Sequence, residues 1–240
     1  MIPNSVEEDI RKFVATITEA AGANLDSVIL YGSAANGEFQ KDFSNVNLLV
    51  IVRDASLPSL RPVGKAVKSW MREQPAPLIM TRSELERSTD VFSIELLDMK
   101  QHHRVLFGDD VVSGLEIPLS QHRVQVEYEL REKLILLRQR SMIANDDKQL
   151  LQLLVQSVPS FSTLFRHALI ALRHEAPNSR REAITQLSAL AKFDSSAFQT
   201  VLDIREKKVE AKKLDIQDLC TRYLSAVEQV AAAVDQALEQ

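Results

Sequence analysis

The sequence predicts an α/β domain followed by an all-helical domain, and three observations carry that reading. Val28-Ile29-Leu30-Tyr31 and Val46 to Val52 are short apolar runs rich in β-branched residues, separated by Gly, Asn, Ser and Asp, as buried strands are. Helical spacing dominates on both sides of them, and beyond about Ser120 strand signals disappear altogether. The segment between the two regimes, Gly108-Asp109-Asp110 through Gly114 to Pro118, concentrates Gly, Asp and Pro as a domain boundary does. The domains are therefore expected at 1–115 and 120–240.

The first domain opens with Val6, Ile10, Phe13 and Ile17 at helical spacing. Ser5 and Glu8 stand at the separation of a capping box, which predicts a helix over 6–21 that ends at Gly22. After the two strands, Leu60, Val63, Val67, Trp70 and Met71 predict a second helix, and Ala76 to Met80 a third strand. Helix, strand, strand, helix, strand is the order of an α/β unit.

In the second domain, Leu130, Leu134 and Leu137 mark one helix. Leu150, Leu154, Val158, Phe161, Phe165, Ala168 and Leu172 mark a longer one containing Pro159, where a kink is expected. Two shorter helices are expected over 181–191 and 195–207. Leu219, Tyr223, Val227, Val230, Val234 and Leu238 form a continuous stripe on the last. Each stripe needs another to cover it, so a helical bundle follows.

Composition narrows the function classes. The net charge of −4 and the pI near 5.8 argue against a nucleic-acid-binding surface spread over the whole molecule, a local basic patch aside, and make a small molecule or a protein the expected partner. No apolar run approaches the roughly 18 to 20 residues needed to span a bilayer, so no membrane insertion is expected. The single cysteine, Cys220, has no intramolecular partner, and the first residues lack a secretory pattern, from which a cytoplasmic location is expected. Cys220 itself reads as a small core residue of the last helix.

The chemistry concentrates around the first two strands. In Leu30-Tyr31-Gly32-Ser33, a glycine directly after a buried strand lets backbone approach an anion closely, and Ser33 adds a hydroxyl beside free backbone N–H groups. Gly32 and Ser33 are thus candidate phosphate-binding residues. Downstream, Ser44-Asn45-Val46-Asn47-Leu48 leads into the second strand, and side chains two apart on a strand share a face, which aims Asn45 and Asn47 at the same place.

Together, Leu30 to Glu38 and Ser44 to Val52 resemble the signature of the nucleotidyltransferase superfamily, which includes the kanamycin and streptomycin adenylyltransferases and the minimal nucleotidyltransferases. That signature is an apolar strand, Gly-Ser, a short helix with a second Gly, and a strand bearing Asp-x-Asp. The resemblance covers 25–53 well and extends loosely to about residue 110; over the helical region it is one of architecture. It implies a nucleotidyltransferase-type mixed-sheet domain of α/β (α+β) class followed by an all-α bundle. It also implies transfer of a nucleoside monophosphate from a Mg²⁺-bound NTP to an acceptor, with the paired aspartates holding the metal. Here the pair is Asn45 and Asn47, a degenerate metal site whose amide oxygens carry no charge, so Mg²⁺ affinity should be weak and transfer impaired or lost.

The resembling enzymes carry a further acidic residue, and Glu95 within Ser93-Ile94-Glu95-Leu96-Leu97 is the candidate. On a strand it could face Asn45 and Asn47 as general base; alternatively 92–103 is a helix with Glu95 at its surface. Glu38 and Asp42 are secondary candidates for replacement charge. His102-His103 does not share a face on either element and reads as structural. On the first helix of the second domain, Glu127 and Arg131 form an intrahelical pair with Arg138 on nearly the same face, which is either a solvated charged face or the lining of a substrate cleft. Two functional classes follow: a nucleotidyltransferase acting on a small-molecule acceptor, or a pseudoenzyme that binds a nucleotide, a protein partner or its own copies, as a regulator or an antitoxin-like protein does.

Overall fold

The computed structural model describes residues 2–35, 37, 39 and 45–236. The chain divides into two compact units, Met1–Pro118 and Leu119–Gln240. Among the described residues, the first unit contains α1 (Asn4–Ala21), β1 (Leu25–Tyr31), β2 (Asn47–Val52), α2 (Leu57–Leu60), α3 (Gly64–Trp70), β3 (Leu78–Thr81), α4 (Arg82–Arg87), α5 (Ser93–Gln101) and β4 (His103–Gly108). The sheet order is β3-β2-β1-β4, with β1 antiparallel to both neighbours and β2 parallel to β3. The parallel pair is what the intervening helix makes possible, since parallel neighbours need a crossover.

Alternation along the central strands buries both faces of the sheet. Val28 and Leu30 of β1 and Leu48, Val50 and Val52 of β2 pack with Ile10, Phe13 and Ile17 of α1 and Trp70 of α3. Ile29, Leu49 and Ile51 turn the other way, against Leu85 of α4 and Leu96 and Met99 of α5. The Trp70 indole donates to the Pro75 carbonyl at 3.0 Å and its ring lies 4.9 Å from that of Phe13. Val112 and Leu115, beyond β4, are buried on the α5 side, so the connection first lies along the first unit before it leaves.

Three expectations need correction. The first helix begins at Asn4 with Pro3 as N-cap, so Ser5 lies inside it and makes no side-chain cap. Residues 103–108, given no secondary structure from sequence, are a strand on the edge of the sheet. Asn45 precedes β2 instead of lying on it. Gly108 closes β4 at φ +73°, where a Cβ would stand 2.0 Å from the Asp26 carbonyl oxygen; only glycine lets β4 approach β1 this closely.

The second unit is helical: α6 (His122–Met142), α7 (Asp147–Ala171), α8 (Arg180–Ala191), α9 (Ser196–Arg205) and α10 (Ile216–Gln236). Its core is aromatic. Phe198 stacks on Tyr223 at 4.0 Å, with Phe161 edge-on to both rings, and the Tyr223 hydroxyl meets Ser157 Oγ at 3.0 Å. Pro159 lies within α7 and has no N–H for the Val155 carbonyl one turn earlier. Arg205, almost completely buried, donates Nη1 to that same carbonyl at 3.0 Å. The arginine thus fills the gap that the proline leaves in the helix ladder. Cys220 is buried in α10, 3.9 Å from Ser141 Oγ, and burial raises its thiol pKa, as befits a core residue.

The architecture is thus a mixed four-stranded sheet unit followed by a helical one, in agreement with the fold class expected from the sequence.

Candidate functional site

Strand register assembles the first part of the site. Tyr31 closes β1 and sits directly opposite Asn47, the first residue of β2, and on its other side opposite His103 of β4. Directly opposed residues of antiparallel strands project from the same face, so Asn47, Tyr31 and His103 form a polar row across one end of the sheet. This is the face covered by α4 and α5, because Tyr31 packs with the cluster of Ile29, Leu49, Leu96 and Met99.

Immediately after Tyr31 the chain turns. Gly32–Ala34 is a single 3-10 turn, closed by the Ala35 N–H on the Gly32 carbonyl at 2.9 Å. Gly32 has φ +76°, a left-handed conformation open to glycine. A Cβ there would stand 2.9 Å from Asn47 Nδ2 and 3.9 Å from its Cγ, so the Asn47 carboxamide lies over the turn with its nitrogen as the nearer end. Gly32, Ser33 and Asn47 are thus neighbours, Ser33 half-buried and Ala34 buried beneath.

Asn45 is exposed, Val46 fully buried and Asn47 half-buried. This alternation keeps both asparagines on the side away from the α1 core, although Asn45 lies outside the strand. Gln74 pins the segment by accepting the Val46 N–H at 2.8 Å. Glu95 lies in the first turn of α5, exposed, so the helical alternative holds over Ser93–Gln101, while His103, expected at its end, opens β4. It nevertheless reaches the row electrostatically: burial raises the Tyr31 phenol above its ordinary pKa and the Glu95 carboxylate raises it further. Glu38 and Asp42 lie outside the described residues.

Tyr31 is the residue that sequence reasoning passed over. Its signal was available in the alternation of β1, which puts Tyr31 on the face of Ile29 and opposite to Leu30.

Other candidates have partners of their own. His103 has its Nδ1 2.8 Å from the Met99 carbonyl and its Nε2 3.1 Å from Asp110 Oδ1, tying β4 to α5 and to the following loop. Among the described residues no group of three or more His, Cys, Asp or Glu side chains is placed to hold a metal ion. In the second unit Arg131 bonds Glu127 at 2.7 Å and Asp235 of α10 at 3.0 Å, while Arg138 bonds Glu228 of α10 at 2.6 Å. Arg131 and Arg138 are thereby engaged in helix-to-helix pairing with α10, while Glu127 pairs within α6, with Arg123 and Arg131.

The divalent cation that the resemblance implies does not fit this donor set. Mg²⁺ takes hard oxygen ligands and favours carboxylates, whereas Asn47 turns an amide nitrogen toward Gly32 and Asn45 carries no charge.

A groove of about 770 Å³ lies on the opposite face, between α1 and the α3 region, lined by Phe13, Trp70, Lys12, Lys65, Glu19 and Gln74 among others. It contains neither Gly32, Ser33, Asn45, Asn47 nor Glu95. Its lining charges are mixed in sign.

No protein-family description matches the chain, and no curated protein matches it in sequence. Solved structures do match. The spectinomycin adenyltransferase AAD(9) from Enterococcus faecialis, solved with ATP and spectinomycin, superposes with a TM-score of 0.56 over 92% of this chain and 99% of its own, at 15% sequence identity. At that identity the shared property is the fold, which is that of an adenylyltransferase.

Proposed function

We propose that this protein binds a nucleotide through its phosphates at Gly32 and Ser33, with Asn47 and Tyr31 alongside, and that its nucleotidyl transfer is impaired or lost. The observation that carries the reading is the juxtaposition of a left-handed glycine at a strand end with the Asn47 carboxamide directly over it. The adenyltransferase fold, in a neighbour solved with ATP, supports a nucleotide as the ligand.

The loss of transfer follows from charge. A metal-bridged triphosphate is activated by carboxylates that bind the cation, an effect worth several kcal/mol of transition-state stabilisation, and each ~1.4 kcal/mol is about tenfold in rate. Two neutral asparagines supply none of it. Glu95 retains the chemistry of a general base for an acceptor hydroxyl, at a position that influences Tyr31.

Isothermal calorimetry with ATP, GTP, CTP and UTP tests the binding. At least one should bind the wild-type protein and lose its affinity in Gly32→Val, with melting curves to confirm that the variant is folded. Heat of binding for none of the four would remove the nucleotide from the account. Mass spectrometry of a mixture with ATP, Mg²⁺ and spectinomycin tests the chemistry, and rapid accumulation of an adenylylated product would contradict impairment.

A second reading, a protein partner or a second copy of the chain, is favoured by α6, where Val124, Tyr128, Ile135 and Met142 are all at least half exposed on a helix whose other face is already buried. Sedimentation velocity reports on it directly.

A further inference from the structure

The mismatch between the expected cation and the residues present points to the form of the ligand. We propose that the Gly32–Asn47 site takes a nucleoside triphosphate as the free polyanion, without a divalent cation, with the Asn47 amide N–H group in the place where a metal-bridging carboxylate would stand. This rests on the nucleotide reading of the site and adds a sign to it: Mg²⁺ does not help the ligand bind.

The physical basis is the polarity of the groups that converge there. A carboxylate at residue 47 repels a phosphate at contact distance, and only a bridging cation makes the two compatible. The carboxamide reverses that. Its Nδ2, a donor, is the end nearest Gly32, 2.9 Å from where a Cβ would stand. Tyr31 shares the face by register, and burial together with Glu95 keeps its phenol protonated, hence able to donate. Ser33 contributes a hydroxyl on the adjoining turn. Neither asparagine carries charge for a cation to neutralise, and among the described residues no group of three or more His, Cys, Asp or Glu side chains stands ready to hold one, whereas a magnesium site draws on several oxygen ligands. Complexation by Mg²⁺ lowers the charge of the triphosphate and occupies the oxygens that these donors would meet. The cation therefore competes with the protein for the same lone pairs.

The test is calorimetric titration of the full chain with ATP in EDTA and again in saturating Mg²⁺, for wild type and for Asn45→Asp/Asn47→Asp. Wild type is expected to bind at least as tightly in EDTA as in Mg²⁺. The double variant is expected to lose roughly a hundredfold or more in EDTA, the scale of two like charges brought against a phosphate, and to recover with Mg²⁺. The isosteric single variant Asn47→Asp, with smaller changes in the same directions, serves if the double variant does not fold. Binding by wild type only in Mg²⁺ would overturn the metal-free form while leaving the nucleotide site standing. Absence of binding under both conditions would overturn the nucleotide reading and this inference with it.

Discussion

Gly32→Ala separates two costs that the structure places on one methyl group. The first is conformational: at φ +76° an L-residue with a Cβ is disfavoured by about 1–2 kcal/mol, wherever its neighbours are. The second is local. The new Cβ would stand 2.9 Å from Asn47 Nδ2, inside ordinary contact, so the carboxamide must leave its rotamer at about 0.5–1.5 kcal/mol. Together they amount to roughly 2–3 kcal/mol, a large share of a typical domain's stability. Asn47→Ala removes the obstructing amide, so in the double variant only the backbone cost persists and the two substitutions should couple favourably by about 1 kcal/mol. The assay is urea unfolding followed by fluorescence of Trp70, the single tryptophan, which is buried in the first unit and reports on it selectively. Additive effects of the two substitutions, or a Gly32→Ala cost below about 0.5 kcal/mol, would refute the packing of Asn47 over the turn.

Three further outcomes are expected. Arg205→Met should destabilise the second unit by about 1–3 kcal/mol by leaving the Val155 carbonyl without its donor, and Pro159→Ala should rescue much of that loss by restoring a helical N–H; a rescue absent from urea midpoints by circular dichroism would mean that Arg205 acts elsewhere. Burial lowers the His122 pKa from 6.5 to about 4, with nearby His167 adding to the shift, so the unfolded state gains the proton first and stability should decline as pH falls from about 6.5 to about 4, by up to about 3 kcal/mol. His122→Phe should flatten that dependence across the same window, and an unchanged slope would acquit His122. Glu95→Gln should bring the Tyr31 phenol part of the way back toward its ordinary pKa, burial holding the remainder, and ultraviolet titration against Tyr31→Phe identifies the signal. A Tyr31 titration indifferent to Glu95 would detach α5 from the site.

Legibility followed the strength of the periodic signal. The stripes of α7 and α10 were readable because each helix presents one apolar face to the bundle, and Leu154, Val158, Phe161, Tyr223, Val227 and Val230 are indeed buried. β1 and β2 were readable because burial on both faces makes them continuous apolar runs. β4 was not, since this edge strand has Arg104 and Val105 exposed and offers an apolar run of only three residues, Val105-Leu106-Phe107. Ile94, Leu96 and Met99 bury on a short helix, but Ile94-Glu95-Leu96 alternates like a strand over three residues, which is why Glu95 admitted two placements. Within the candidate site, the neighbourhood of Gly32 and Asn47 follows from strand pairing; the Glu127–Arg131 pair was legible from its spacing, whereas Asp235 and Glu228, the α10 partners of Arg131 and Arg138, lie about a hundred positions away, where no local spacing reveals them.

The proposed site puts ligand phosphate at the sheet end by Gly32 and Asn47. Backbone amide shifts of the isotopically labelled protein, recorded by NMR during an ATP titration, test it most directly. The largest changes should fall on Tyr31 to Ala35, Asn45 to Leu48 and the first turn of α5 around Glu95. Changes concentrated instead on Phe13, Lys65 and Trp70 would place the ligand in the groove on the opposite face and contradict it.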